Sequence, residues 1–166
     1  MFFILIVVPG LENYVPISNL LNLGFKLVYD YPYSHFTSYD EIEAIRAECI
    51  SSTIMCVGGG NQSDGLLRVV ACGNCLNITT LTQLGQTTFS GSAYWYFAFG
   101  YSFGFAPDPL IDLISADLQD LSSNLRLSWY LDEYNGGYRL GDLIGLFNDN
   151  IYYKKVFLSD ISEHIR

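Results

Sequence analysis

The chain is poor in charge. Only 15% of its 166 residues are Asp, Glu, Lys or Arg, against roughly a quarter in soluble domains. Basic residues are the scarcer: 8 against 17 acidic, a formal net charge of −9. They are scattered, and Lys154-Lys155 is the only adjacent pair. Phosphate recognition needs clustered Lys and Arg, so neither nucleic acid nor an anionic membrane is expected as a partner. Histidine is limited to His35 and His164. No apolar run approaches the roughly 20 residues that span a bilayer. No serine lies in a G-x-S-x-G elbow, and Gly58-Gly59-Gly60 lacks the Lys-Ser/Thr of a phosphate loop. No residue pattern identifies an enzyme.

What is abundant points to sheet. Half the chain is hydrophobic, aromatics reach 16%, and there are 13 Tyr, 11 Phe and 15 Gly. Aromatic and β-branched residues suit pleated surfaces, and glycine suits the turns between them. The length fits one domain able to bury its own core. With so little charge, the surface is expected to be covered by glycans or by other subunits.

Cys49, Cys56, Cys72 and Cys75 make an even set. Two N-glycosylation sequons, Asn61-Gln62-Ser63 and Asn77-Ile78-Thr79, lie in the same stretch. Together they suggest a secreted, oxidised, extracellular chain carrying N-linked glycans. Four cysteines allow three pairings. Nested Cys56–Cys72 and Cys49–Cys75 bridges fit an antiparallel hairpin across the glycine-rich stretch. Cys49–Cys56 with Cys72–Cys75 is the main rival. Cys72-Gly73-Asn74-Cys75 is a C-x-x-C, but the strand-then-helix context of a redox centre is missing, so a structural disulfide is expected.

Phe2-Phe3-Ile4-Leu5-Ile6-Val7-Val8 is an unbroken apolar run closed by Pro9-Gly10. It has no polar face, so neither side of a strand formed by it suits water. No basic residue precedes it and no Ala-x-Ala-like cleavage site follows. A retained strand is therefore expected, with any secretory leader upstream of Met1. Residues 11–23 mix Asn, Ser and Pro with apolar residues and suggest an extended connector. The expected division is 1–23 as N-terminal strand and connector, and 24–166 as a β-rich globular domain.

Within that domain, strands are expected at Gly24–Tyr29, Thr53–Gly58, Leu66–Cys72, Leu76–Leu81, Ala93–Phe99, Leu125–Leu131 and Tyr152–Leu158, with a glycine-rich turn after Gly58. Ser38–Cys49 is the helix candidate: Ser38 can cap it, Glu41 sits at the capping-box position, and Ile42, Ile45 and Cys49 share a face. Pro109–Leu121 suits a short helix or a loop. The absence of a βα rhythm argues for a mainly β, two-sheet, sandwich-like or jelly-roll-like domain with one short helix and an extended N-terminal strand.

The remaining polar groups have ordinary readings. His35 suits a hydrogen-bonded structural role, and His164 a solvated one. Asp108, Asp112, Asp117 and Asp120 could in principle hold a cation or act as paired carboxylates, but their spacing matches no calcium loop. Arg126 and Arg139 are expected to pair with nearby acids. No metal or cofactor is expected. Trp95, between Tyr94 and Tyr96, and Trp129 could stack on sugars if exposed.

Several segments in combination carry a resemblance: Pro32-Tyr33-Ser34-His35, Ala71-Cys72-Gly73-Asn74-Cys75, Tyr94-Trp95-Tyr96 with Ser102-Phe103-Gly104-Phe105, Leu125-Arg126-Leu127-Ser128-Trp129, and Gly136-Gly137-Tyr138-Arg139-Leu140-Gly141. The chain resembles, from about Gly24 to Leu158, an uncharacterised family of aquatic-microbe proteins and the protomers of helical glycoprotein fibrils from pond water. That implies a β-rich extracellular fibril subunit with no catalytic residues. Most strands pair within their own chain; the resemblance shifts the expectation for Phe2–Val8 to insertion into the adjacent subunit. The alternative is a monomeric secreted carbohydrate-binding module using exposed Trp and Tyr.

Overall fold

A computed structural model describes residues 8–112, 117–131 and 138–160. Eleven strands form two antiparallel sheets, a sandwich-like arrangement. The first sheet holds β1 (Leu11–Pro16), β2 (Lys26–Pro32), β3 (Thr53–Asn61), β4 (Leu66–Asn74) and β11 (Tyr152–Asp160), in the order β1-β4-β3-β11-β2. The second holds β5 (Thr88–Ser90), β6 (Ala93–Ala98), β7 (Ser102–Ala106), β8 (Leu127–Tyr130), β9 (Arg139–Leu140) and β10 (Leu143–Ile144), in the order β10-β9-β8-β7-β6-β5. Three α-helical segments are described where one was expected: α1 (Ile17–Asn22), α2 (Tyr39–Arg46) and α3 (Cys75–Ile78).

The first sheet is organised by the β3–β4 hairpin. Its ladder sets Cys56 opposite Cys72, and these two are bonded. Cys49–Cys75 closes the outer ring, so the bridges are nested. The glycine-rich stretch is not itself the turn. Gly58, Gly59 and Gly60 lie inside β3, where a Cβ on Gly60 would stand 1.8 Å from the Leu66 carbonyl oxygen. The turn is Gln62–Gly65. Asn61 Oδ1 accepts from Ser63 N at 2.9 Å, and Gly65 takes φ +68°, a conformation that costs glycine little.

Alternation divides the apolar residues between two clusters. Met55, Val57, Ala71, Val156 and Leu158 face the second sheet and meet Trp95, Phe97, Phe103, Phe105 and Trp129 in the main core. Their strand neighbours Cys56, Cys72 and Phe157 therefore lie on the opposite face, where Val15, Leu20 and Phe25 join them. The outer face of the first sheet is thus apolar too.

Three expectations are corrected, and one strand lies where none was expected. Residues 11–23 are not an extended connector: Leu11–Pro16 pairs with β4 and Ile17–Asn22 is helical. Val15 and Leu20 are buried, and Asn13 donates to the Arg68 and Asn124 carbonyls at 3.0 and 2.6 Å, so its polar side chain is structural. Leu76–Leu81 is not a strand; Asn74 caps a helical turn by accepting from Asn77 N, and Arg46 donates to the Leu76 carbonyl. Ser102–Ala106 is a central strand, its glycine lying where a Cβ would meet the Leu127 carbonyl oxygen at 2.0 Å. Helix α2 has the expected capping box between Ser38 and Glu41 but ends at Arg46, before Cys49.

Candidate assembly surface

The first sheet presents two long edges, and they differ. Along β1 every paired residue and its β4 partner have numbers summing to 82, from Pro16↔Leu66 to Leu11↔Ala71. Gly10 continues the ladder, its carbonyl accepting from Cys72 N at 3.3 Å. In this register Val8 falls opposite Asn74, the last residue of β4, and Cys75 begins α3. The partner strand is exhausted where the apolar run begins. Pro9 also has no N–H to give a ladder. Val8 is half-buried against the outer-face cluster, and with Ile54, Cys72, Gly73 and Ser92 it lines a cleft beside Pro9-Gly10. Phe2, Phe3, Ile4, Leu5, Ile6 and Val7 lie outside the described residues.

At the opposite edge, β2 pairs with β11 on one side, and among the described residues no strand pairs with its other side. Lys26, Leu27 and Val28 are exposed in succession. Leu27, Val28 and Tyr31 keep 40%, 37% and 42% of their surface in solvent. The register against β11 slips between Val156 and Phe157, leaving Val28 as an extra residue in β2, a bulge. Two clefts meet at Val28; the first runs between β2 and α2, and the second lies beside β11. One is lined by Tyr29, Tyr31, Ala44 and Ile45, the other by Lys26, Ile50 and Thr53, with Glu48 common to both. The other described edges are poorer platforms. Strand β1 is interrupted by Tyr14 at φ +53°; β5 has 3 residues and β10 has 2.

The tryptophans have no sugar-facing surface. Trp95 and Trp129 are fully buried, contrary to the stacking role that exposure would have allowed. Trp95 Nε1 donates to the Ser90 carbonyl at 3.0 Å, and Trp129 Nε1 to Tyr33 Oη at 3.2 Å. Tyr96, on the other side of β6, is also buried and donates to the Leu127 carbonyl at 2.9 Å. Both faces of this strand are covered.

The sequons occupy different settings. Asn61 ends β3 beside the hairpin turn and is half-buried; its Oδ1 is engaged by Ser63, which leaves the amide nitrogen outside that pair of bonds. Asn77 is exposed on α3. Thr79 of the same sequon is buried, accepts from Arg46 Nη1 at 2.9 Å and donates to the Cys75 carbonyl at 2.7 Å.

The loop acids surround arginines. Arg126 bridges Asp117 at 2.7 Å and Asp108 at 2.9 Å, as expected from sequence. Arg139 departs from expectation: its buried guanidinium donates to the carbonyls of Asp117, Gln119, Asp120, Ser123 and Gly141. Five main-chain acceptors match its fork of donors. Among the described residues no group of three or more His, Cys, Asp or Glu is placed to hold a metal ion. His35 is structural, with Nε2 2.8 Å from Glu41 Oε1 and its ring stacked on Tyr31. Burial alone would raise the Glu41 carboxyl, but the hydrogen bonds from His35 and Ser38 together hold it below its usual range. His164, Asp132-Glu133 and Gly136-Gly137 lie outside the described residues.

Sequence reasoning missed Lys154. Its Nζ donates to the His35 carbonyl and to Thr37 Oγ1, both at 2.5 Å, and lies 5.9 Å from the Trp129 ring centroid. The signal was present: in a strand, adjacent lysines point to opposite faces, so one of Lys154-Lys155 must turn inward. Among the described residues no helix is long and apolar enough to cross a membrane. Comparison with family models, curated proteins and solved structures finds no match.

Proposed function

We propose that this chain is a structural protomer of an extracellular glycosylated helical fibril, joined to its neighbour by insertion of Phe2–Val8 into the adjacent subunit. The observation that carries the reading is the end of the β1–β4 ladder. Seven apolar residues follow directly, toward the N-terminus, from a strand whose own partner has turned into α3. Paired as a strand, they would present two apolar faces, Phe3, Leu5 and Val7 on one and Phe2, Ile4, Ile6 and Val8 on the other. Burying them in a neighbour contributes on the order of 10 kcal/mol before association costs. Main-chain hydrogen bonds to the acceptor add to that, as in other strand-addition complexes. Such a contact is heterologous and propagates unless its rotation closes a ring.

Two disulfides support an oxidising compartment. Glycans on Asn61 and Asn77 would screen the charge-poor surface. The sugar-binding alternative loses its argument with the burial of Trp95 and Trp129.

The test is the full-length chain carrying Ile4→Asp and Ile6→Asp, compared with the wild type by negative-stain microscopy and pelleting. The variant should stay a soluble monomer with both disulfides formed. Filaments of wild-type appearance and yield from the variant would overturn the reading.

A further inference from the structure

We infer that the acceptor of the donated strand is the open edge of β2, from Leu27 to Tyr31, in a second copy of this chain. This rests on the donated-strand reading above.

The apolar run leaves the body at the β1 edge, and β2 is the opposite edge of the same sheet. Four strand spacings separate them, about 19 Å. Seven extended residues span roughly 23 Å, so a run that crossed the sheet to reach its own β2 would have almost nothing left to pair with it. A second copy meets no such limit. Donor and acceptor at opposite edges of one sheet also give a contact in which each copy uses a different face toward each neighbour, the requirement for open growth.

The edge itself is suited to an incoming strand. An unpaired strand offers a row of main-chain donors and acceptors. Tyr33 N donates to the Tyr152 carbonyl toward β11. By antiparallel alternation Tyr31 and Tyr29 keep step with Tyr33, and the groups of Asp30 turn outward. Pro32 ends the usable stretch. Val28 and Tyr31 stand exposed beside the cleft that Ala44 and Ile45 of α2 help to line. Alternate apolar side chains of Phe2–Val8 would fill that cleft while their neighbours cover Leu27.

A complementation experiment on full-length protein tests this. One chain carries Ile4→Asp and Ile6→Asp; the other carries Val28→Lys and Tyr31→Lys. Each alone should lose at least tenfold of its pelletable material. Mixed, they should form a 1:1 dimer by light scattering, because each supplies what the other lacks. Tyr14→Lys on the β1 edge should polymerise as wild type. As a measurement independent of the lysine substitutions, Val28→Cys paired in turn with Ile4→Cys and Ile6→Cys in polymerising protein should give a ladder of covalent oligomers on non-reducing gels. If the β2 variant forms filaments as wild type, or no cysteine pair crosslinks between copies, the β2 assignment falls and strand donation stands. If the donor variant alone still forms filaments, the donation reading itself falls.

Discussion

Raising the pH above neutrality should stabilise the fold, through Lys154. Its ammonium is fully buried beneath the main core, held by the His35 carbonyl and Thr37 Oγ1. Loss of hydration outweighs the attraction of Glu41 and pulls its titration from 10.5 down to about 7. The unfolded chain keeps that proton until near 10.4. Between about 7 and about 10 the unfolded state therefore binds more protons than the folded one, and stability rises with pH across that window. Below pH 7 both states hold the proton and this contribution is flat. The displacement corresponds to a ceiling on the order of 5 kcal/mol. Water entry and side-chain relaxation reduce that, and about 2 kcal/mol is expected between about pH 7 and about pH 9.

Urea unfolding followed by tryptophan fluorescence, with disulfides intact, reads this directly at steps from about pH 6 to about pH 9. Burial pushes the Tyr29 and Tyr33 hydroxyls far up, so they stay protonated in the folded state throughout this range. Lys154→Met keeps the unbranched apolar stem of the side chain and removes the titrating group. It should flatten the profile and raise the urea midpoint most at the acid end. A flat wild-type profile, or a slope that survives in Lys154→Met, would refute the assignment.

Three further outcomes follow from particular contacts. Gly60→Ala places a methyl carbon 1.8 Å from the Leu66 carbonyl oxygen, so it should cost more than about 3 kcal/mol in urea unfolding or prevent recovery of folded protein. Asn77→Gln and Thr79→Ala both destroy one sequon and should remove the same glycan mass. The first should leave the unfolding free energy within about 0.5 kcal/mol, and the second should cost about 1–3 kcal/mol, because only Thr79 has a buried, doubly bonded hydroxyl. Arg139→Met should cost about 3–5 kcal/mol by stripping five carbonyls of their donors. Arg139→Lys should recover less than half of that, since a single ammonium cannot reproduce the fork.

The parts of the fold that were legible in sequence are those set by local rules. Ser38 and Glu41 lie three residues apart, the spacing a capping box requires, and the box forms. Hairpin arithmetic favoured the nested pairing, and the ladder places Cys56 opposite Cys72. The parts that were illegible depend on what covers a surface. Alternation separated Trp95 from Tyr94 and Tyr96, but it carries no information on whether the second face is wet. On that face Tyr96 lies fully buried across Gly104, with its hydroxyl on the Leu127 carbonyl. Asn13 and Pro16 gave residues 11–23 the composition of a linker. Yet Asn13 spends its amide on two distant carbonyls, and Pro16 stands at a strand end.

Sheet order is the deepest of these nonlocal facts, and it bears most on the proposed assembly. A strand's own residues specify how well it pleats, not which of its sides stays unpaired. β2 is an edge only because β11, more than a hundred residues later in sequence, takes its inner side. The apolar run Phe2–Val8 likewise announces that it needs a partner without saying where one is. The register of β1 on β4 removes the nearest candidate, since β4 gives way to α3 where the run begins. Among the described residues, the sheet order then puts the longest open edge on the far side of the domain, beyond the useful reach of seven residues. The proposed donation to a neighbour thus rests on two strand positions that are distant in sequence and opposite in space.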